Sequence, residues 1–418
     1  MKFLQFGAGN IGRSFMGRIF SAAGWEVVFV DVDRRLVNLI NEKRRYTVII
    51  KEEGREDERR EAGPVRAVHG GDEAAAAAEL AGADIAAVSV GKAALEQVLP
   101  LLARGLEERR RLYGDRPLDI IIAENAREAP ALFRTVLARE LGPSWTAETL
   151  SAAVGIVETS IGKMVPLLGA EEAAADPLTL YAEAYETLIV DARGFRGPVP
   201  AIENILPVEP IRAYVDRKLF VHNLGHAAAA YLGCRALADL KGAANPGEQS
   251  VPAVLSLPGV EEGTRNAMDE AAAALLREYP GVFRKDGLAA HINELLARFK
   301  NTALRDRILR VGRDIRRKLG REDRITGAML LGARHGLPFG AAAEVYLAGV
   351  EFDPPGAAPF PPDAAFRQDY GLAAPLTEQK LGRILREVSG LREEGTPDGE
   401  VYGEVLRAFT RRNRPVSG

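Results

Sequence analysis

The chain has 418 residues, 47% of them hydrophobic, with a net charge of −3. That is enough for two domains and a sizeable core, but it gives no general attraction to nucleic acid or anionic membrane. One cysteine, Cys234, excludes an intrachain disulfide and a thiolate metal cluster, and the five histidines lack the HExxH pairing of a catalytic zinc.

Residues 2–6 form a short strand-like run that leads into Gly7-Ala8-Gly9-Asn10-Ile11-Gly12. Phe15, Met16, Ile19 and Phe20 follow at helical spacing, and a second apolar run, Trp25 to Val30, ends at Asp31. The glycines have separate roles. Gly7 permits the tight turn, Gly9 lets backbone approach a pyrophosphate, and Gly12 allows close helix–strand packing. The helix N-terminus would face the phosphates with its positive dipole end. Asp31 can accept the ribose hydroxyls of NAD and would repel the extra phosphate of NADP, with Arg34 and Arg35 following it. Asp33, past the strand end, reads as a helix cap. The turn begins so early that no signal peptide is expected before it, and no apolar run reaches the roughly 18 residues of a membrane span. A cytoplasmic protein is expected.

Further strands are expected at Ile85–Val90, Leu118–Ala123, Val154–Glu158 and Thr187–Val190, alternating with helical stretches rich in Ala, Leu, Glu and Arg. This alternation predicts a Rossmann-type α/β domain over 1–195 with a doubly wound, mostly parallel sheet. Ser89 and Gly91, after one of these strands, are expected to line the nucleotide site. The turn-rich passage Gly194 to Pro210 reads as a linker, and 196–418 as a mostly α-helical substrate and catalytic domain.

Within that second domain Lys218-Leu219-Phe220-Val221-His222-Asn223-Leu224-Gly225-His226 carries an amine, an amide and an imidazole. On a uniform α-helix Lys218, Asn223 and His226 fall within an arc of about 140°. A lysine able to lose its proton, beside two groups that can steady an oxygen, suits proton removal from an alcohol. His222 reads as a packing or surface residue. In the arginine-rich run 305–324, Arg310 and Lys318 are expected to turn inward, Arg313 to reach toward a phosphate, and the rest to face water.

The motifs FGAGNIGR at 6–13, ENAREA at 124–129, RKLFVHNLGHAAAAYLG at 217–233 and RVGRDIRRKL at 310–319 together resemble the polyol-specific long-chain dehydrogenases. The resemblance runs from the first strand to about residue 350. It implies an NAD-dependent, metal-independent enzyme acting on a polyol or sugar phosphate, such as the pair mannitol 1-phosphate and fructose 6-phosphate, as a monomer or homodimer. It further implies Lys218 as catalytic base and acid, and Asn223 and Asn125 as hydrogen-bond donors to the reacting oxygen. His226 would orient the substrate, Arg310 and Lys318 would contact its hydroxyls or phosphate, and Gly7, Gly9, Asn10, Ile11 and Asp31 would hold the dinucleotide. One departure stands out: where an Asp-Arg pair is usual before a proline, this chain has Gly162-Lys163, in a segment expected at the substrate entrance. Lysine there is a point charge in place of a bidentate guanidinium.

Overall fold

In the computed structural model, the apolar runs of the first half become strands. They are β1 (Lys2–Phe6), β2 (Glu26–Asp31), β3 (Tyr46–Ile50), β4 (Glu58–Ala62), β5 (Val65–His69), β6 (Ile85–Val88), β7 (Leu118–Ile122), β8 (Val154–Ser160), β9 (Thr179–Ala182), β10 (Leu188–Asp191) and β11 (Ile205–Val208). Eight of them form one sheet in the order β11-β10-β8-β7-β6-β1-β2-β5, parallel except where β10 meets β8. The remaining three form a small sheet, β4-β3-β9. The structure describes residues 1–124, 129–166, 175–240, 249–354 and 360–413.

The central strands are buried on both faces, as parallel strands covered by helices must be. Alternation along β1 sends Phe3 into a core with Phe15, Phe20 and Phe29, while Leu4 and Phe6 enter the opposite core with Val28, Leu99 and Ile120. Phe3 and Phe20 stack with ring centroids 3.7 Å apart. β1 lies between β2 and β6 in parallel register, with Phe6 opposite both Val30 and Val88. The carboxyl ends of three strands therefore emerge side by side, delivering Gly7, Asp31 and Ser89 to one edge. The chain winds in opposite directions on either side of β1, and such switch points form ligand crevices in open α/β sheets.

Two compact units are present, Met1–Val215 and Asp216–Gly418. The division lies at Val215/Asp216, where the expected boundary was 195/196. The passage expected as a linker contains β11, whose Ile205–Val208 pairs in parallel with Leu188–Asp191 and extends the main sheet. Every named element of the second unit is helical, and its described residues show β pairing only at the isolated Ser250–Arg307 bridge. Its spine is the helix Leu224–Asp239, with Ala227 to Tyr231 fully buried. Small residues let neighbours come close: a Cβ at Gly225 would stand 2.4 Å from the Met268 sulfur, and one at Gly233 would stand 2.5 Å from Val254. Cys234 is buried, as a small core residue would be. Among the described residues no helix is long and apolar enough to cross a membrane.

Candidate active site

In the first unit the glycine turn is built by contacts that tolerate no side chain. Gly7 has φ +89°, and a Cβ there would lie 2.4 Å from the Ser89 carbonyl oxygen. At Gly12 a Cβ would lie 1.9 Å from the Gly7 carbonyl oxygen. Gly9 is the opposite case: its Cβ would meet nothing within 4 Å, and both Gly9 and Asn10 are exposed. The open space therefore lies where backbone N–H groups at a helix start can meet an anion. The helix opens with an α-type bond from Arg13 N–H to the Gly9 carbonyl (3.0 Å), then widens into a π-helix over Gly12–Gly17.

Asp31 is fixed at the strand end by main-chain donors. Its Oδ2 accepts the Ala8 N–H (2.6 Å) and its Oδ1 the Asp33 N–H (2.9 Å). Each carboxylate oxygen keeps a lone pair, so the group can still accept two hydroxyls. Asp33 caps the helix Arg34–Lys43 by accepting the Arg35 and Leu36 N–H groups, which matches its reading as a cap. Arg34 and Arg35 are exposed. Ser89 Oγ accepts from Gln5 Nε2 (2.9 Å), and Gly91, at φ +85°, donates its N–H to Glu124 Oε1 (2.6 Å). Burial raises the Glu124 carboxyl, with the Gly91 and Val90 N–H groups opposing the shift. The cradle beneath Gly9 and the remaining lone pairs of Asp31 together fit a dinucleotide with an unsubstituted ribose. Beneath the turn, the buried Arg13 guanidinium donates to the Ala8 carbonyl (2.5 Å) and to the Pro177 carbonyl (2.5 Å), locking the turn from below.

In the second unit Lys218 opens a π-helix, Lys218–Asn223, that continues as an α-helix from Leu224. The uniform 100° wheel does not apply across this segment, because the wider turn realigns Lys218 against Asn223 and His226. Lys218 is half-buried; burial, reinforced by the nearby Arg324 cation, pushes its pKa down to about 7. The amine is thus poised between its two protonation states at neutral pH. His226 Nε2 lies 2.8 Å from Asp306 Oδ2, and its ring stacks on Phe299 at 4.9 Å and 11°. His222 is buried, tilted against the same Phe299 (5.6 Å); burial, then Arg298 and Lys218, hold it well below the ordinary histidine range. It is a neutral packing residue.

The basic run splits differently from expectation. Arg310 is ion-paired to Asp306, donating from Nε at 2.7 Å. Lys318 is buried; its ammonium donates to the Val311 carbonyl and sits 6.0 Å over the Tyr231 ring. Burial, with Arg324 and Arg317, pushes its pKa down to about 7. Arg313 is exposed and lies 5.5 Å over Phe360. Arg324, expected in water, has a side chain only 14% exposed, paired to Asp323 at 2.7 Å and reaching the Asn223 carbonyl at 3.5 Å. It turns inward because Asp323 and a helix carbonyl offer its guanidinium partners that water would otherwise supply. The C-terminal segment clamps this run: Asp363 accepts the Asp314 and Ile315 N–H groups (2.9 and 2.7 Å), Ser389 donates to the Leu319 carbonyl (2.7 Å), and Asp398 accepts from Arg321 (2.8 Å). Among the described residues no group of three or more His, Cys, Asp or Glu is placed to hold a metal ion.

The mannitol dehydrogenase Rossmann domain matches residues 1–204, and the mannitol dehydrogenase C-terminal domain matches 210–352. This chain belongs to the mannitol dehydrogenase family of oxidoreductases. It is 32% identical to a mannitol-1-phosphate 5-dehydrogenase of Bacillus licheniformis over 392 residues, 94% of this chain and 96% of the relative. To a mannitol-1-phosphate 5-dehydrogenase of Brevibacillus brevis it is 31% identical over 415 residues, 99% of each. The fold is shared with Pseudomonas fluorescens mannitol 2-dehydrogenase, solved as a ternary complex with NAD and D-mannitol. That likeness has TM-score 0.72 at 17% identity and covers 99% of this chain and 92% of the other. A D-sorbitol dehydrogenase in substrate-free form gives TM-score 0.75 at 16% identity, covering 99% and 93%.

Asn125 lies outside the described residues. The Lys163 side chain, in a segment expected at the substrate entrance, is fully buried, donating to the Glu183 and Tyr185 carbonyls (both 2.8 Å) and lying 5.6 Å over Phe15. Burial lowers its pKa to about 8. Two buried carbonyls need a donor there, and a lysine stem is long enough to supply it. Sequence reasoning missed Asp306, Arg13 and Arg324. Only the i, i+4 spacing of Asp306 and Arg310 signals one of them.

Proposed function

We propose that this chain is a cytoplasmic NAD-dependent dehydrogenase of a polyol phosphate, interconverting mannitol 1-phosphate and fructose 6-phosphate. The feature that carries this reading is Lys218: it opens the π-helical turn that ends at Asn223 and runs into the helix bearing His226, and burial brings its amine to about 7, in a chain that aligns along nearly its whole length with mannitol-1-phosphate 5-dehydrogenases. Gly7, Gly9, Asn10, Ile11, Gly12, Asp31, Ser89 and Gly91 would hold the coenzyme. Bound NAD supplies the hydride acceptor. Neutral Lys218 takes the hydroxyl proton of the substrate as the carbon becomes a carbonyl, and returns it in the reverse direction. Amide N–H donors from Asn223 and Asn125 would stabilise charge building on that oxygen, each such donor typically worth about 3 kcal/mol. With Lys163 and Lys318 both committed to main-chain carbonyls, the guanidinium forks of Arg310 and Arg313 would serve phosphate or hydroxyl recognition.

Loss of NADH absorbance with fructose 6-phosphate, fructose and hexuronates tests the reading. Oxidation fastest with fructose 6-phosphate supports it. Faster turnover of a free ketose or a hexuronate would assign a related substrate, and no oxidation with any of them would leave a nucleotide-binding sensor. For the coenzyme, Asp31→Ala should erode the preference for NAD over NADP by roughly tenfold or more, since it removes both the hydroxyl acceptor and the charge that repels a phosphate. Unchanged selectivity in initial-rate assays would move the ribose contact elsewhere.

A further inference from the structure

The His226–Asp306–Arg310 cluster is built to fix one nitrogen of the histidine. Asp306 is 5% exposed, yet its carboxyl is held below the usual range: burial raises it, and His226 and Arg310 outweigh that. An ionised carboxylate has no hydrogen to give, so the 2.8 Å contact is His226 Nε2–H donating to Oδ2. Oδ1 takes Arg310 Nε at 2.7 Å. The main chain around Asp306 is pinned on both sides: its carbonyl accepts the Val251 N–H (2.7 Å), and Ile308 N–H donates to the Gln249 carbonyl (3.0 Å). Phe299 covers one face of the imidazole at 4.9 Å, nearly parallel. Ring plane, ring rotation and tautomer are therefore all set before any substrate arrives.

We propose that Asp306 is the positioning residue of the reacting centre, holding His226 by its Nε2–H so that Nδ1 is the ring nitrogen left to accept a substrate hydroxyl. The inference rests on the reading of Lys218, Asn223 and His226 as that centre. With Lys218 taking the proton of the reacting hydroxyl, Nδ1 is placed to accept from a second, neighbouring hydroxyl, which a polyol has and a simple alcohol lacks. Replacement by asparagine keeps the size but can present an amide N–H to Nε2, favouring the other tautomer and turning Nδ1 into a donor.

The test is a double-substitution cycle in the full-length protein, with fructose 6-phosphate and NADH. Asp306→Asn should lower kcat roughly 10- to 100-fold, in the range of partners that orient an active-site histidine, with NADH affinity within about twofold of wild type. In a His226→Ala background the same change should cost less than about threefold, because the residue it positions is gone. An equal loss in both backgrounds, the mark of a merely structural role or one exerted through Arg310, overturns the proposal. Nitrogen-15 spectra of histidine-labelled wild type give a readout free of substitution and of turnover, with the His226 signal assigned by its loss in His226→Gln. Protonated Nε2 with bare Nδ1 is expected, and a protonated Nδ1 contradicts it. A wild type inactive with every ketose would sink the proposed reaction while the spectrum still decided the tautomer.

Discussion

Lys218→Ala is expected to lower turnover by about 10²- to 10⁴-fold, the span attributed to a positioned general base, while NADH still binds. The substitution removes the one amine of the Lys218–His226 segment and leaves the glycine turn of the other unit untouched. Three groups near it are poor substitutes. His222 is buried and held neutral by its surroundings, and Lys318 is bound to the Val311 carbonyl. Arg324 is paired to Asp323. Steady-state rates together with NADH fluorescence titration check the result. Appreciable residual turnover would reject the proton-transfer role, and lost NADH binding would mean that the variant had damaged more than the reacting centre.

The second large effect separates two glycines of one motif. Gly12→Ala places a methyl 1.9 Å from the Gly7 carbonyl oxygen and 3.2 Å from Ser89 Oγ. Backbone cannot yield there without moving the turn, so stability should fall by about 1–3 kcal/mol, as for an overpacked site, and NADH binding should be lost with it. Gly9→Ala meets nothing within 4 Å and should leave the melting temperature essentially unchanged. Its methyl fills the space a pyrophosphate needs, so NADH affinity should still drop by tenfold or more, about 1.4 kcal/mol. Thermal unfolding and NADH titration of the pair decide the matter. Normal NADH affinity in Gly9→Ala would show that the phosphates lie elsewhere.

The order strand, glycine turn, helix, strand, acid was legible because each part is a local signal: apolar runs of strand length, glycines at fixed offsets, a carboxylate at a strand end. The structure keeps all of them in β1, β2 and the turn between. The small sheet was not legible. β4 is Glu-Arg-Arg-Glu-Ala, charged and mostly exposed, and gains its strand conformation from pairing with β3. β11 hid in a proline-rich stretch because Pro207 sits in the edge strand of the main sheet, where a missing N–H costs little. The domain boundary moved with it. The proposed catalytic residues Lys218, Asn223 and His226 share one short segment and could be read together. Asp306 and Arg324 are brought to it by tertiary folding, and only buried hydrogen bonds reveal them. Lys163 misled for the same reason: nothing local to Gly162-Lys163 states that two carbonyls from 183–185 are waiting for an ammonium.

We propose that one lysine, ordinarily near 10.4, works here as a neutral base. The pH dependence of kcat/KM for mannitol 1-phosphate oxidation, followed from about pH 5.5 to about pH 9.5, tests it most directly. A folded-state pKa lowered to about 7 means the amine is protonated and idle below that pH and deprotonated above it. The oxidation rate should therefore rise about tenfold per unit on the acid side and level off just above pH 7. Fructose 6-phosphate reduction, which needs the ammonium, should fall over the same interval. An oxidation profile flat across that range, or one still climbing at its alkaline end, would contradict the account.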